Sequence, residues 1–155
     1  MSRSMGILIF FLSFGAFVIS CEKSKTDRVE EMAALYTLAW NSQDPSQVGD
    51  FYPDDAMLVV NGDTSRGKLA VVNFAKTFMR NFPDMRLEMD SLVSDEQHYK
   101  YYWSFSGTYE GPYGNGNQVI FSGFEKWSLS SDLMILVSAG TYDEENFRAQ
   151  LYAKN

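Results

Sequence analysis

The chain has 155 residues, enough for one domain with a sizeable core. Its formal net charge is −7 at pH 7, and it has no Lys/Arg run and no P-loop, so no nucleic-acid partner is expected. A single histidine, His98, and a single cysteine, Cys21, leave no Cys/His cluster for zinc and no intramolecular disulfide. No metal and no cofactor are therefore expected.

The chain opens with a short n-region carrying Arg3, then an apolar run from Gly6 to Ile19. A spanning helix needs about 20 apolar residues, so this shorter run reads as a signal-peptide core over residues 1–20. Val18-Ile19-Ser20-Cys21 resembles the bacterial lipoprotein box, in which a small residue precedes a cysteine that is acylated and becomes the new N-terminus. That resemblance implies a lipidated Cys21, a tether over residues 21–27 and a folded domain over 28–155. It also implies an envelope location, and Glu22 after the cysteine favours the outer membrane facing the periplasm. The alternative is ordinary secretory cleavage after Ser20, which would leave a free thiol. In the lipoprotein reading the membrane is a partner through several acyl chains, because one chain alone anchors weakly.

Asp27 with Glu30 reads as a capping box opening the first helix, and Val29, Met32, Ala33, Tyr36 and Trp40 share one face at helical spacing. Asp44-Pro45 opens a short second helix with Val48 and Phe51. A brief strand over 56–60 meets the turn Asn61-Gly62-Asp63. A third helix is predicted over 67–81, with Leu69, Val72, Ala75, Phe78, Met79 and Phe82 on its apolar side and Pro83 as its stop.

Alternation from Met85 to Ser91 predicts a half-buried strand with a polar outer face. His98 lies near the turn that follows and reads as a surface residue. The next strand, 99–108, turns Tyr101, Trp103, Phe105 and Gly107 to one side and Tyr102, Ser104, Ser106 and Thr108 to the other. A glycine-rich connection leads to a strand over 119–129, where Val119, Phe121, Glu125 and Trp127 have one parity. The last strand, 133–143, places Ile135, Val137, Ala139, Thr141 and Asp143 on one face, expected to be the core face. A short amphipathic tail over 144–151 closes the chain. Helices first and hairpin-linked strands after them indicate an α+β fold, a curved antiparallel sheet wrapped around N-terminal helices.

Several short features in this order resemble the SnoaL-like branch of the nuclear transport factor 2-like superfamily, the ketosteroid-isomerase-like or cystatin-like cone. They are Trp40-Asn41 with Asp44, Tyr52 and Asp55, Gly67-Lys68, Phe82-Pro83-Asp84, Gly107-Thr108-Tyr109-Glu110-Gly111, Ile135 with Asp143 eight residues later, and Gln150-Leu151. The resemblance covers about residues 28–151. It implies a cone with an apolar pocket, used by some members for cyclisation, isomerisation or epoxide hydrolysis and by others only for binding. Residue by residue, it implies that Asp143 is the acid/base and that Tyr109 stands where the family often has a histidine. Ala139 stands where the family often has an aromatic residue.

Asp143 is either that acid/base or the N-cap of the terminal helix. Tyr109 could donate to an oxyanion but is a poor base at neutral pH. Glu125 is a second acid placed with core residues by parity, unless a bulge turns it outward. Asp84 is either a turn residue or a pocket group. Tyr36, Trp40, Trp103 and Phe121 are expected to line the interior beside Ala139. The expected function is binding of a small hydrophobic molecule without catalysis. The rival is proton transfer on a small carbonyl compound by Asp143. A homodimer through the outer sheet face is the expected assembly.

Overall fold

The computed structural model describes residues 23–95, 97–114 and 116–153, so the proposed signal segment and Cys21 lie outside the described residues. In chain order the elements are α1 (Lys25–Asn41), α2 (Pro45–Gly49), β1 (Met57–Val60), β2 (Asp63–Arg66), α3 (Lys68–Asn81), β3 (Arg86–Ser94), β4 (Tyr99–Thr108), β5 (Gln118–Leu129), β6 (Ile135–Tyr142) and α4 (Glu144–Leu151). Among the described residues no helix is long and apolar enough to cross a membrane.

The α1 helix begins three residues before the predicted cap. Ser24 Oγ accepts from the Asp27 N–H at 3.1 Å and the Asp27 carboxylate accepts from the Ser24 N–H at 3.2 Å. That is the same reciprocal box shifted by one turn. Its buried face is the predicted one, with Val29, Met32, Ala33, Tyr36 and Trp40 all inward. Asn41 then clamps the helix end to β3: its side chain accepts from the Leu87 N–H at 2.7 Å and donates to the Leu87 carbonyl at 2.8 Å.

Asn61 and Gly62 both have positive φ, at 47° and 96°. Two left-handed residues in a row form a turn whose twist suits a hairpin. The chain accordingly returns as β2, paired antiparallel to β1. Sequence reading placed only the turn here, because Asp63–Arg66 is polar and mostly exposed and so lacks a core face. In α3 the buried residues are Val71, Ala75 and Met79, whereas Leu69 is 73% exposed. The helix is clasped between α2 and the β1–β2 hairpin, which rotates its inner face by about one residue from the predicted set.

The strands make one sheet in the order β2-β1-β6-β5-β4-β3. Every pair is antiparallel except β1 with β6, which is parallel. The α+β expectation therefore holds, with a long-range parallel seam where β1 docks on the free edge of β6. Register shifts at Met89/Ser91 and at Ser128/Leu129 bend the sheet towards the helices.

The second shift changes the meaning of the last strand. Ile135 faces Leu129 and Val137 faces Ser128, so Leu136 has no partner. Beyond this bulge the inward parity switches from odd to even. Ile135, Ser138 and Gly140 are buried, while Thr141 and Asp143 are exposed. The face read from Ile135 to Asp143 is broken in the middle.

Candidate functional site: an aromatic cavity with one carboxylate

Between the concave sheet and α1 and α3 lies a cavity of about 70 Å³. Trp40 from α1, Phe74 and Phe78 from α3, Trp103 and Phe105 from β4, Phe121 from β5 and Tyr142 from β6 supply its aromatic wall. Leu58, Val60, Met85, Leu87 and Gly140 fill the gaps, and Glu125 of β5 is the one charged residue in the lining. Neighbouring rings meet at near right angles: Trp40 with Phe74 and with Phe78 at 85°, and Trp103 with Phe121 at 88°. Gly123 makes room for this wall. A Cβ there would sit 2.7 Å from the Trp103 ring and 2.5 Å from the Thr141 carbonyl oxygen. The indole N–H groups of Trp40 and Trp103 are buried with no hydrogen-bond partner.

Glu125 is held from behind. Its Oε2 accepts from Ser138 Oγ at 2.6 Å, Trp127 Nε1 at 2.8 Å and Tyr36 Oη at 3.2 Å. Tyr36 Oη in turn meets Tyr52 Oη at 2.9 Å, and Tyr101 Oη meets Thr37 Oγ1 at 2.7 Å alongside. No described residue donates to Oε1. Burial pushes the carboxyl above the usual glutamate range, and the bonds from Ser138, Trp127 and Tyr36 offset only part of that rise. Burial first, and the Glu125 charge second, hold the Tyr36 and Tyr52 phenols well above their ordinary value. These tyrosines are neutral donors, not bases, over the working pH range.

The structure separates the sequence-predicted residues into two groups. Trp40, Trp103, Phe121 and Glu125 line the cavity. Tyr36 lies one layer behind, bonded to Glu125 and fully buried, so it fixes the carboxylate without forming part of the lining. Asp143 is exposed and is the N-cap of α4, accepting from the Asn146 N–H at 2.9 Å. The parity switch in β6 carries it out of the core. Ala139 lies opposite Lys126 on the outer parity of β6 and does not line the cavity, for the same reason.

Tyr109 is buried away from the cavity, packed on Phe82, with its hydroxyl donating to the Pro112 carbonyl at 3.2 Å. It has no reach to an oxyanion beside Glu125. Asp84 is exposed and accepts from the Thr108 N–H and Oγ1 at 2.7 and 2.6 Å, which hold its carboxyl below the usual range. It is a turn group. His98, read as a surface residue, is half-buried and faces Asp95 at the β3–β4 turn. Ser138 was missed, because a serine inside an apolar strand carries no signal until the bulge is known.

Replacing Asp143 by Ala tests the capping role. The expected cost is about 1 kcal/mol of stability, typical of a lost N-cap, with cavity binding unchanged. Thermal melting and ligand titration of the same sample check both halves. Loss of binding with full stability would return Asp143 to the site.

An α+β cone with an apolar cavity between sheet and helices is the nuclear transport factor 2-like class. Residues 30–130 match the family model described as SnoaL-like polyketide cyclase, and the chain belongs to that family. Among solved structures, a candidate SnoaL-like polyketide cyclase from Jannaschia sp. CCS1 superposes with a TM-score of 0.74 at 15% identity, over 86% of this chain and 99% of that one. A candidate polyketide cyclase from Xanthomonas campestris pv. campestris gives 0.69 at 21%, over 83% and 99%. A ketosteroid isomerase-like protein from Catenulispora acidiphila DSM 44928, solved in complex with trimethylamine, gives 0.69 at 14%, over 78% and 92%. At these identities the likeness establishes the fold alone. No curated protein matches the sequence.

Proposed function

We propose that this protein binds one small, largely apolar molecule inside its cone and is held at the bacterial envelope by lipid on Cys21. The observation that carries the binding reading is the aromatic cavity with Glu125 as its one charged group. Its volume of about 70 Å³ is roughly half that of the ~150 Å³ apolar cavity that takes benzene, so it suits a small molecule or the small end group of a larger one. The Catenulispora protein was solved with a small molecule, trimethylamine.

Gly140→Val tests the binding reading. A Cβ at Gly140 meets only ordinary contacts, 3.5 Å or more from its neighbours. The two further methyls of valine would crowd the lining beside Glu125 and Val60, and a melting curve of the variant checks that the fold is kept. The expected result is at least ~10-fold weaker binding of a small probe such as tert-butanol, followed through the indole resonances of Trp40 and Trp103, since ~1.4 kcal/mol is tenfold. Unchanged binding would place the ligand elsewhere. For the anchor, alkyne-tagged palmitate should label the wild type and not Cys21→Ser.

A second reading is supported by the raised pKa of Glu125. A desolvated carboxylic acid facing an apolar site holds its proton to higher pH than an ordinary glutamate, which suits it to proton transfer. In that reading Glu125, not Asp143, exchanges the α-proton of a small carbonyl compound. Deuterium exchange of a small ketone, wild type against Glu125→Gln, tests it. Equal exchange removes it.

A further inference from the structure

We propose that the cavity, given the small-molecule reading above, selects a compact alkylated ammonium group that sits between the aromatic wall and the free Oε1 of Glu125. A carboxylate drawn into an apolar wall must be compensated by a proton or by a cation. Among the described residues no Lys, Arg or His lines the cavity, so the lining itself supplies no cation. Lys126 is adjacent in sequence but pairs across the sheet with Lys100 and Ala139, on the opposite parity from Glu125. Lys100 lies over the Phe124 ring at 5.7 Å, on the outer face.

The number of acceptors narrows the cation. A primary ammonium carries three N–H donors and is strongly hydrated. The lining offers it one unoccupied carboxylate oxygen, with Oε2 already accepting from Ser138, Trp127 and Tyr36. A tertiary ammonium has one N–H, which Oε1 satisfies, and a quaternary ammonium needs none. Among the described residues no cluster of three or more His, Cys, Asp or Glu side chains could hold a metal ion.

The wall suits the methyl groups. Aromatic faces attract alkylated ammonium groups, tryptophan most strongly. Trp40 and Trp103 both belong to the lining, with Phe74, Phe78 and Phe121 set nearly perpendicular beside them.

The occupant's charge makes binding pH-dependent. The titratable groups facing Glu125 are Tyr36 from α1, Tyr52 after α2, Tyr101 from β4 and Tyr142 from β6, and each is held above the ordinary tyrosine value. All stay neutral while Glu125 titrates. Protons and the cation then compete for one carboxylate, so ammonium affinity falls as pH is lowered through the Glu125 pKa. A neutral ligand would show the opposite trend or none.

The experiment titrates trimethylammonium, tetramethylammonium and the neutral tert-butanol into the full chain, following ligand methyl and indole N–H resonances from pH 4, below the ordinary glutamate value, to pH 8. The expected result is saturable ammonium binding at pH 8 with upfield-shifted methyls, and weaker tert-butanol binding. Glu125→Gln leaves the aromatic wall in place and removes the ion pair, and it should weaken the ammonium ligands at least ~10-fold, within the range of a hydrogen bond to a charged group. If that variant fails to fold, the wild-type pH series decides. Flat or rising ammonium affinity towards pH 4 overturns the inference, as does full affinity in Glu125→Gln. Binding of tert-butanol without either ammonium overturns it and leaves the small-molecule reading standing. Binding of none of the three overturns both.

Discussion

Glu125→Gln is expected to make the protein more stable at neutral pH, by about 0.5–2 kcal/mol, the usual gain when a functional group held at a cost is neutralised. The amide oxygen can accept the bonds that Ser138, Trp127 and Tyr36 now give to Oε2, and the amide NH2 takes the place of the free Oε1. The charge is removed, and the amide N–H donors that replace Oε1 face the apolar lining, which holds the gain to the lower part of that range. Burial raises the folded-state pKa of Glu125 above its ordinary value. Between the ordinary value and the folded one, the folded state therefore holds more protons than the unfolded chain. Stability must fall as pH rises through that window, and the penalty is complete above it. The glutamine variant lacks this component, and the other acids titrate alike in both proteins. Melting curves of wild type and variant should converge near pH 4 and separate towards pH 8. Parallel curves, or a variant less stable at pH 8, would mean that the carboxylate is not desolvated.

That cost explains why the site could be read only in part from the sequence. The fold was legible because its signals are local and redundant. Tyr101, Trp103 and Phe105 alternate through β4, and all three are buried as that alternation requires. Asp44-Pro45 opens α2 as read, and residues 144–151 form α4 with Asp143 as its cap. Phe121, Glu125 and Trp127 keep one parity along β5, and this alternation correctly turned Glu125 inward. The last strand failed because one unpaired residue, Leu136, reverses the parity of everything after it. No residue type announces such a bulge, since it is decided by the pairing of two strands rather than by one. The same reversal exchanged Asp143 and Ala139 for Ser138 and Gly140. Tyr109 was misplaced for a different reason: the family's motif fixes its position in the chain, but the Pro112 carbonyl fixes where its hydroxyl goes, while Asp84 took the turn role that was one of its two readings, held by Thr108.

Trp127→Ala should have the largest effect of any change considered. Trp127 is fully buried, stacked on Tyr101 at 4.7 Å and 14°, and set edge-to-face on Tyr36 at 5.2 Å. Its indole also donates to Glu125 at 2.8 Å. Truncating a buried tryptophan costs about 3–5 kcal/mol through lost burial and the cavity left behind. That is a large share of the ~5–15 kcal/mol that holds a domain together. Removing the indole N–H also leaves the carboxylate with one fewer donor, so the Glu125 pKa should rise further. The melting temperature should drop by roughly 10–20 °C for a domain of this length. Trp127→Phe separates the two contributions. It keeps most of the stack on Tyr101 and loses only the donor, so it should melt well above the alanine variant while sharing its upward shift in Glu125 titration, read from the carboxyl carbon resonance. A Phe variant with an unshifted Glu125 would show that Ser138 and Tyr36 alone hold the carboxylate. An alanine variant melting within a few degrees of wild type would show that the Tyr36–Tyr101–Trp127 stack is not the centre of the core.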